Sequence, residues 1–133
     1  SDIITFHPEV EENPIEIIKF IKKGNVKAGI ALHPKINILE YEELFTEVNQ
    51  IIVMTVIPGF GGQQFIDTQV KKIEDLCRLR KKKDYKFKIS ADGGINDISG
   101  KKCIKSGVDI LAIGSFLLSK PETEFDKIIN SFK

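Results

Sequence analysis

Val53-Met54-Thr55-Val56-Ile57-Pro58-Gly59-Phe60-Gly61-Gly62-Gln63 is the stretch on which the reading of this chain turns. An apolar run rich in β-branched residues stops at a proline. Three glycines in four positions follow, Gly59, Gly61 and Gly62, and then a helical pattern begins. A strand that feeds a glycine-rich turn at a helix N-terminus suits an anion, because glycines let backbone N–H groups approach it and the helix dipole favours negative charge. Glycines that only permit a tight turn would give the same pattern. The stretch alone leaves both readings open.

Working outward, the same alternation repeats. Strands are expected over 2–7, 26–32, 51–57, 87–91 and 109–114. Between them, Asn13 and Pro14 open a helix that carries Ile17, Ile18 and Ile21 and stops at Gly24. Asn37 caps a short helix over 38–47. A longer helix over 67–82 puts Val70, Ile73, Leu76, Cys77 and Leu79 on one stripe. Asn96 or Asp97 caps a helix that ends near Gly107, and Pro121 starts a last one with Phe125, Ile128, Ile129 and Phe132 on one face. Five β-α units in succession argue for parallel strands with right-handed crossovers. A flat doubly wound sheet and a sector of a (β/α)8 barrel both meet that description.

Composition narrows the class. With 133 residues, 41% hydrophobic and 29% charged, the chain suffices for one domain, taken as 1–133, with one sizeable core. A net charge of +1 gives no electrostatic reason to expect nucleic acid or a membrane surface. The basic run Arg78, Arg80, Lys81, Lys82, Lys83 falls where a helix should end, and cations there complement its dipole. Cys77 and Cys103 have neither metal-type spacing nor a disulfide framework, which fits a reducing compartment. No apolar run approaches a membrane span and the first residues lack signal-peptide character, so the expectation is a cytoplasmic protein.

The candidate chemistry gathers at strand ends. Gly59-Phe60-Gly61-Gly62, Gly93-Gly94 and Gly114-Ser115 each follow a strand. In a parallel barrel all such turns open on one mouth, and a phosphate site is often built from the last of them. Asp92 is the carboxylate set directly at a strand's C-terminal end within that cluster, suited to general acid/base work, to a metal, or only to capping its own turn. Met54 is core by default, or lines a ligand if it faces the mouth. His7 and His33 end the first two strands and read as hydrogen-bonded structural groups, with no metal assigned to them.

These motifs together resemble ribulose-5-phosphate 3-epimerases. Val53 to Gln63 is similar to that family's signature after strand six, Asp92-Gly93-Gly94-Ile95 to its motif after strand seven, and Gly114-Ser115 to the turn after strand eight. Thr5-Phe6-His7 with Glu9, and Gly29-Ile30-Ala31-Leu32, are similar to the ends of strands four and five. The resemblance implies a (β/α)8 TIM barrel, here as about five of its β-α units. It implies interconversion of D-ribulose 5-phosphate and D-xylulose 5-phosphate in the pentose phosphate pathway. A proton moves at C3 through an enediolate on a divalent metal, commonly zinc or iron, between two aspartates on opposite faces. By resemblance Asp92 is one aspartate and a metal ligand. Met54 lines the reacting centre, and Gly59, Phe60, Gly61, Gly62, Gly93, Gly94, Gly114 and Ser115 hold the substrate, chiefly its phosphate.

Departures from the family pattern set further expectations. Its strands one to three have no counterpart in these 133 residues, and they would carry the second aspartate and the remaining metal ligands. Ile57 stands where a polar residue is usual, and His33 is an unusual end to strand five. Five units leave unpaired edges and an uncovered inner face, so a homo-oligomer or a longer protein is expected, and little activity from these residues alone. The alternatives are an epimerase for a six-carbon ketose phosphate such as allulose 6-phosphate, and a catalytically silent phosphate-binding or assembly fragment.

Overall fold

The computed structural model describes residues 3–56, 65–95 and 97–112. In chain order these form β1 (Ile3–Phe6), a 3-10 turn (Pro8–Val10), α1 (Pro14–Lys23), β2 (Lys27–Leu32), a 3-10 segment (Ile38–Leu44), β3 (Gln50–Met54), α2 (Thr68–Lys83), β4 (Lys88–Asp92), α3 (Asp97–Ser106) and β5 (Ile110–Ala112). The expected final helix from Pro121 lies outside the described residues.

Strand order separates the two architectures. The sheet runs β1-β2-β3-β4-β5, and every neighbouring pair is parallel. A doubly wound sheet must reverse direction at a switch point. Here each crossover steps the same way, so right-handed connections send successive helices to the same side of the sheet. That is the winding of a (β/α)8 barrel, seen as an open five-stranded sector.

Side chains alternate across the sheet accordingly. Ile30, Ile51 and Ile89 lie in register and are fully buried, as are Leu32, Val53 and Ala91 one layer on. Ile18 and Ile21 of α1, Ile73 and Leu76 of α2, and Cys103 of α3 share one cluster with them. The opposite face carries Thr5, Gly29, Gln50 and Lys88 in one row and Ala31, Ile52, Ser90 and Ile110 in the next. Parallel sheets are ordinarily covered on both faces. At the sheet's two ends, Ile3 and Ile110 are about 40% exposed, 40% and 42% respectively.

Local signals explain most element ends. Pro14 opens α1, with the Asn13 carbonyl accepting from Glu16 and Ile17. Asp84 closes α2 in the left-handed region at φ 57°, its N–H reaching the Arg80 carbonyl. The segment expected as a helix over 38–47 is instead a 3-10 segment kinked at Tyr41 (φ −123°). Asn37 and Glu40 do form a reciprocal capping box at its start. Leu44 and Phe45 are buried at its end, and Phe45 stacks edge-on against Tyr85 and Phe87 at 5.9 and 5.5 Å.

The N-terminal ends of the strands are tied by two polar clamps. Asn49 receives the Ala28 N–H on its side chain at 3.0 Å, donates its own N–H to the Ala28 carbonyl at 2.7 Å, and accepts Lys88 N–H at 2.9 Å. Asp109 accepts from Ile89 N–H at 2.8 Å and from Arg80 at 2.7 Å, while Arg80 also donates to the Phe87 carbonyl at 3.0 Å. Burial alone would raise the Asp109 carboxyl, but the Ile89 N–H and the Arg80 guanidinium outweigh it and hold it below its ordinary 3.8. Both cysteines are free, and burial pushes the Cys103 thiol up to about 11, so it is an inert core group.

A carboxyl whose folded-state pKa is depressed stabilises the fold above its unfolded value and loses that contribution as pH falls through the lowered one. Asp109→Asn should therefore cost about 1–2 kcal/mol near neutral pH, the scale of charge-assisted hydrogen bonds at a partly exposed site. In urea melts the gap between variant and parent should close below about pH 4, where unfolded-state aspartates are protonated.

Candidate functional site at the C-terminal ends of β3 and β4

The candidate residues that the structure describes come together at one place. Met54 and Asp92, the last residues of β3 and β4, are directly paired across the ladder. The alternation that buries Val53 and Ala91 against the helices turns Met54 and Asp92 to the other face. Met54 is half-buried and Asp92 exposed, so the carboxylate is reachable from the mouth. Gly59, Phe60, Gly61, Gly62, Gly114 and Ser115 lie outside the described residues, and so does Ile57.

The parallel ladder continues one step past the strands. Thr55 donates its N–H to the Asp92 carbonyl at 2.8 Å, and its hydroxyl donates to the Gly93 carbonyl. The Thr55 carbonyl accepts the Ile66 N–H at 2.7 Å. Gln69, in the first turn of α2, donates its side-chain amide to the Met54 carbonyl at 2.9 Å. Thr55 and Gln69 are buried polar residues, 0% and 3% exposed. Sequence reasoning passed over both. The signal was a polar residue inside an apolar strand, and another on the buried stripe of an amphipathic helix.

Gly93 and Gly94 have structural reasons to be glycine. Their φ values are +120° and +65°. A Cβ on Gly93 would stand 2.5 Å from the Val56 methyl Cγ2, and one on Gly94 would stand 2.8 Å from the Phe65 nitrogen. Val56 and Phe65 are the described residues on either side of the glycine-rich stretch. The Gly93-Gly94 turn is thus packed against the two described residues that flank that stretch. The Ser99 hydroxyl donates to the Gly94 carbonyl at 3.0 Å and ties the turn to α3.

The contacts of the two histidines are local. His33 accepts the Lys35 N–H on Nδ1 at 3.2 Å, inside its own turn. His7 Nδ1 lies 3.5 Å from Glu9 Oε1. Lys72 of α2 donates to the carbonyls of His33 and Pro34 at 3.3 and 3.1 Å, fastening the end of β2 to the helix that follows the glycine-rich stretch. Burial lowers the Lys72 ammonium from its ordinary value. Among the described residues no group of three histidine, cysteine or acidic side chains could hold a metal ion. Asp92 therefore offers a single anionic oxygen donor, and these residues do not by themselves fit a metal centre. Nor is any helix among them long and apolar enough to cross a membrane.

The sequence pattern of the Ribulose-phosphate 3 epimerase family matches residues 1–118. The chain belongs to this family. It is 37% identical over 123 residues to the ribulose-phosphate 3-epimerase of Methanocaldococcus jannaschii, covering 92% of this chain and 53% of that protein. It is 35% identical over 116 residues to the Bacillus subtilis ribulose-phosphate 3-epimerase, covering 86% and 54%. The Escherichia coli protein of the same name is 28% identical over 133 residues, covering all of this chain and 58% of that protein. The chain thus spans about half the length of the curated relatives it matches. Ribulose-phosphate 3-epimerases are in general metal-dependent.

Alanine at Gly93 must relieve both a left-handed backbone and an overlap with Val56. We expect Gly93→Ala to cost about 1–3 kcal/mol, the scale of such strain. Thermal melts check this, and Val56→Ala in the same chain should recover part of the loss because it removes the methyl that the new Cβ meets.

Proposed function

We propose that this chain is the part of a ribulose-phosphate 3-epimerase that carries one acid/base carboxylate and the phosphate end of the site, acting on D-ribulose 5-phosphate and D-xylulose 5-phosphate. The observation that carries the proposal is the pairing of Asp92 with Met54 at the mouth of a barrel sector, beside a Gly93-Gly94 turn packed against both flanks of the glycine-rich stretch. Active sites of such barrels sit at this end of the strands.

Epimerisation at C3 requires that a proton leave from one face and return to the other. The C–H bond breaks, its electron pair moves into the enediolate, and a new C–H bond forms from the opposite side. Asp92 serves as one of the two groups, taking the proton as a carboxylate in one direction and returning it as a carboxylic acid in the other. The second group lies elsewhere in the complete site. A divalent metal, zinc or iron by family resemblance, would supply charge stabilisation for the oxygen that becomes anionic, with Asp92 among its ligands. Gly93 and Gly94, with Gly59, Phe60, Gly61, Gly62, Gly114 and Ser115, would hold the substrate through backbone N–H groups and a hydroxyl, the phosphate first. Met54, apolar and polarisable, would pack against the reacting carbons. The same reading takes the protein as a cytoplasmic homo-oligomer.

One observation favours a second reading. Among the described residues no group of three histidine, cysteine or acidic side chains could hold a metal ion, as in a phosphate-binding fragment without turnover. Solvent exchange separates the two. In deuterated water the full-length protein should exchange the C3 proton of a pentulose phosphate, and Asp92→Asn should slow that exchange by about 100- to 10,000-fold, the usual share of a general acid/base. Unchanged exchange in the variant removes Asp92 from the chemistry. A full-length protein that binds the sugar phosphate without exchange supports the binding reading.

A further inference from the structure

The two peptide planes that follow Asp92 are both held by one residue. The Asp92 carbonyl, on the plane shared with Gly93, accepts the Thr55 N–H at 2.8 Å. The Gly93 carbonyl, on the plane shared with Gly94, accepts the Thr55 hydroxyl. Thr55 itself has no freedom to follow a rearrangement. It is fully buried, its own carbonyl takes the Ile66 N–H at 2.7 Å, and the residue before it is pinned through its carbonyl by Gln69 at 2.9 Å.

A Gly-Gly segment is the place where a backbone most easily flips a peptide plane, because positive and negative φ are about equally open to glycine. In a trans peptide the C=O and the following N–H point in opposite directions. Holding the Gly93 carbonyl toward the buried Thr55 hydroxyl therefore turns the Gly94 N–H away from Thr55. A flip of that plane would bury the N–H against Thr55, leave the hydroxyl without its acceptor, and withdraw a donor from the turn. We infer that Thr55 is a positioning residue: its hydroxyl fixes the Gly93-Gly94 peptide so that the turn presents its N–H for the substrate's phosphate, while its backbone N–H holds Asp92 in line. The inference rests on the proposed function for its ligand, but the peptide orientation it asserts is independent of that reading. It also gives the fully buried hydroxyl a reason to be there, since burying a hydroxyl is costly unless it is bonded.

Two variants, one keeping the shape and one keeping the hydroxyl, separate positioning from bulk packing. Thr55→Val keeps the shape and removes the hydroxyl. Thr55→Ser keeps the hydroxyl and removes the methyl. In the full-length protein, well below the melting midpoint of either variant, Thr55→Val should raise KM for the pentulose phosphate roughly 10-fold or more, as small misplacements of binding groups do. It should lower kcat less, and Thr55→Ser should stay near the parent. The amide signals of Gly93 and Gly94, followed by NMR, should shift in Thr55→Val and stay in place in Thr55→Ser. Equal impairment of the two variants, or an unchanged Gly94 amide in Thr55→Val, overturns the inference. A parent protein inactive on pentulose phosphates overturns the proposed function instead, and the amide signals still decide the role of Thr55.

Discussion

The register of β3 against β4 is the constraint on which the rest of the site depends. Parallel pairing sets Met54 opposite Asp92 and lets the ladder run on through the Thr55 N–H. A slip by one residue would turn Asp92 into the helix-facing layer now filled by Val53 and Ala91, where an unpaired carboxylate is costly. It would also carry Ile89 out of the core. Burial of the aliphatic layer and placement of the carboxylate are therefore one choice. The hydrophobic pattern of the strands enforces it, and the acidic residue is placed as a consequence.

The two ends of the sheet divide the work. At the N-terminal end, Asn49 ties β2, β3 and β4 together, while Asp109 and Arg80 fasten β5 to β4. Those bonds lie far along the strands from Asp92, and polar groups at that end of a barrel serve stability. At the C-terminal end the side-chain bonds go mostly to carbonyls of connecting backbone: Thr55 to Gly93, Gln69 to Met54, Ser99 to Gly94 and Lys72 to His33 and Pro34. Side chains that grip backbone at turns hold those turns in one shape without occupying the mouth.

Much of this was legible in the sequence because the periods were clean. Five apolar runs alternating with amphipathic stretches marked the β-α succession, and Asp92 stood out as a carboxylate ending a strand. Strand order was not legible, because a sector of a barrel and a doubly wound sheet share the same local pattern; only the pairing separates them. The segment after Asn37, expected as a short helix over 38–47, is helical only as a kinked 3-10 segment. Its capping box is real, but Leu44 and Phe45 must reach the core within a short span, and the chain kinks at Tyr41 to let them. Thr55 and Gln69 went unnoticed for a different reason. Their partners are backbone carbonyls distant in sequence or around a turn, and no residue type announces a carbonyl that needs a donor. Gly93 and Gly94 were read for their ligand, whereas the structure adds a steric demand that would exist without one.

That steric demand links positions far apart in the chain. Val56 occupies the space that a side chain at 93 would need, and the backbone at Phe65 occupies the space needed at 94. Volume at 56 and volume at 93 are drawn from one small reservoir, so the residues facing each other there cannot drift independently. A lineage that enlarged one would first have to shrink the other, whereas at 94 the obstacle is main chain, which no side-chain exchange can remove. At 93 a smaller neighbour removes the side-chain overlap and leaves the strain of a φ of +120°; at 94 the main chain of Phe65 stands in the way as well.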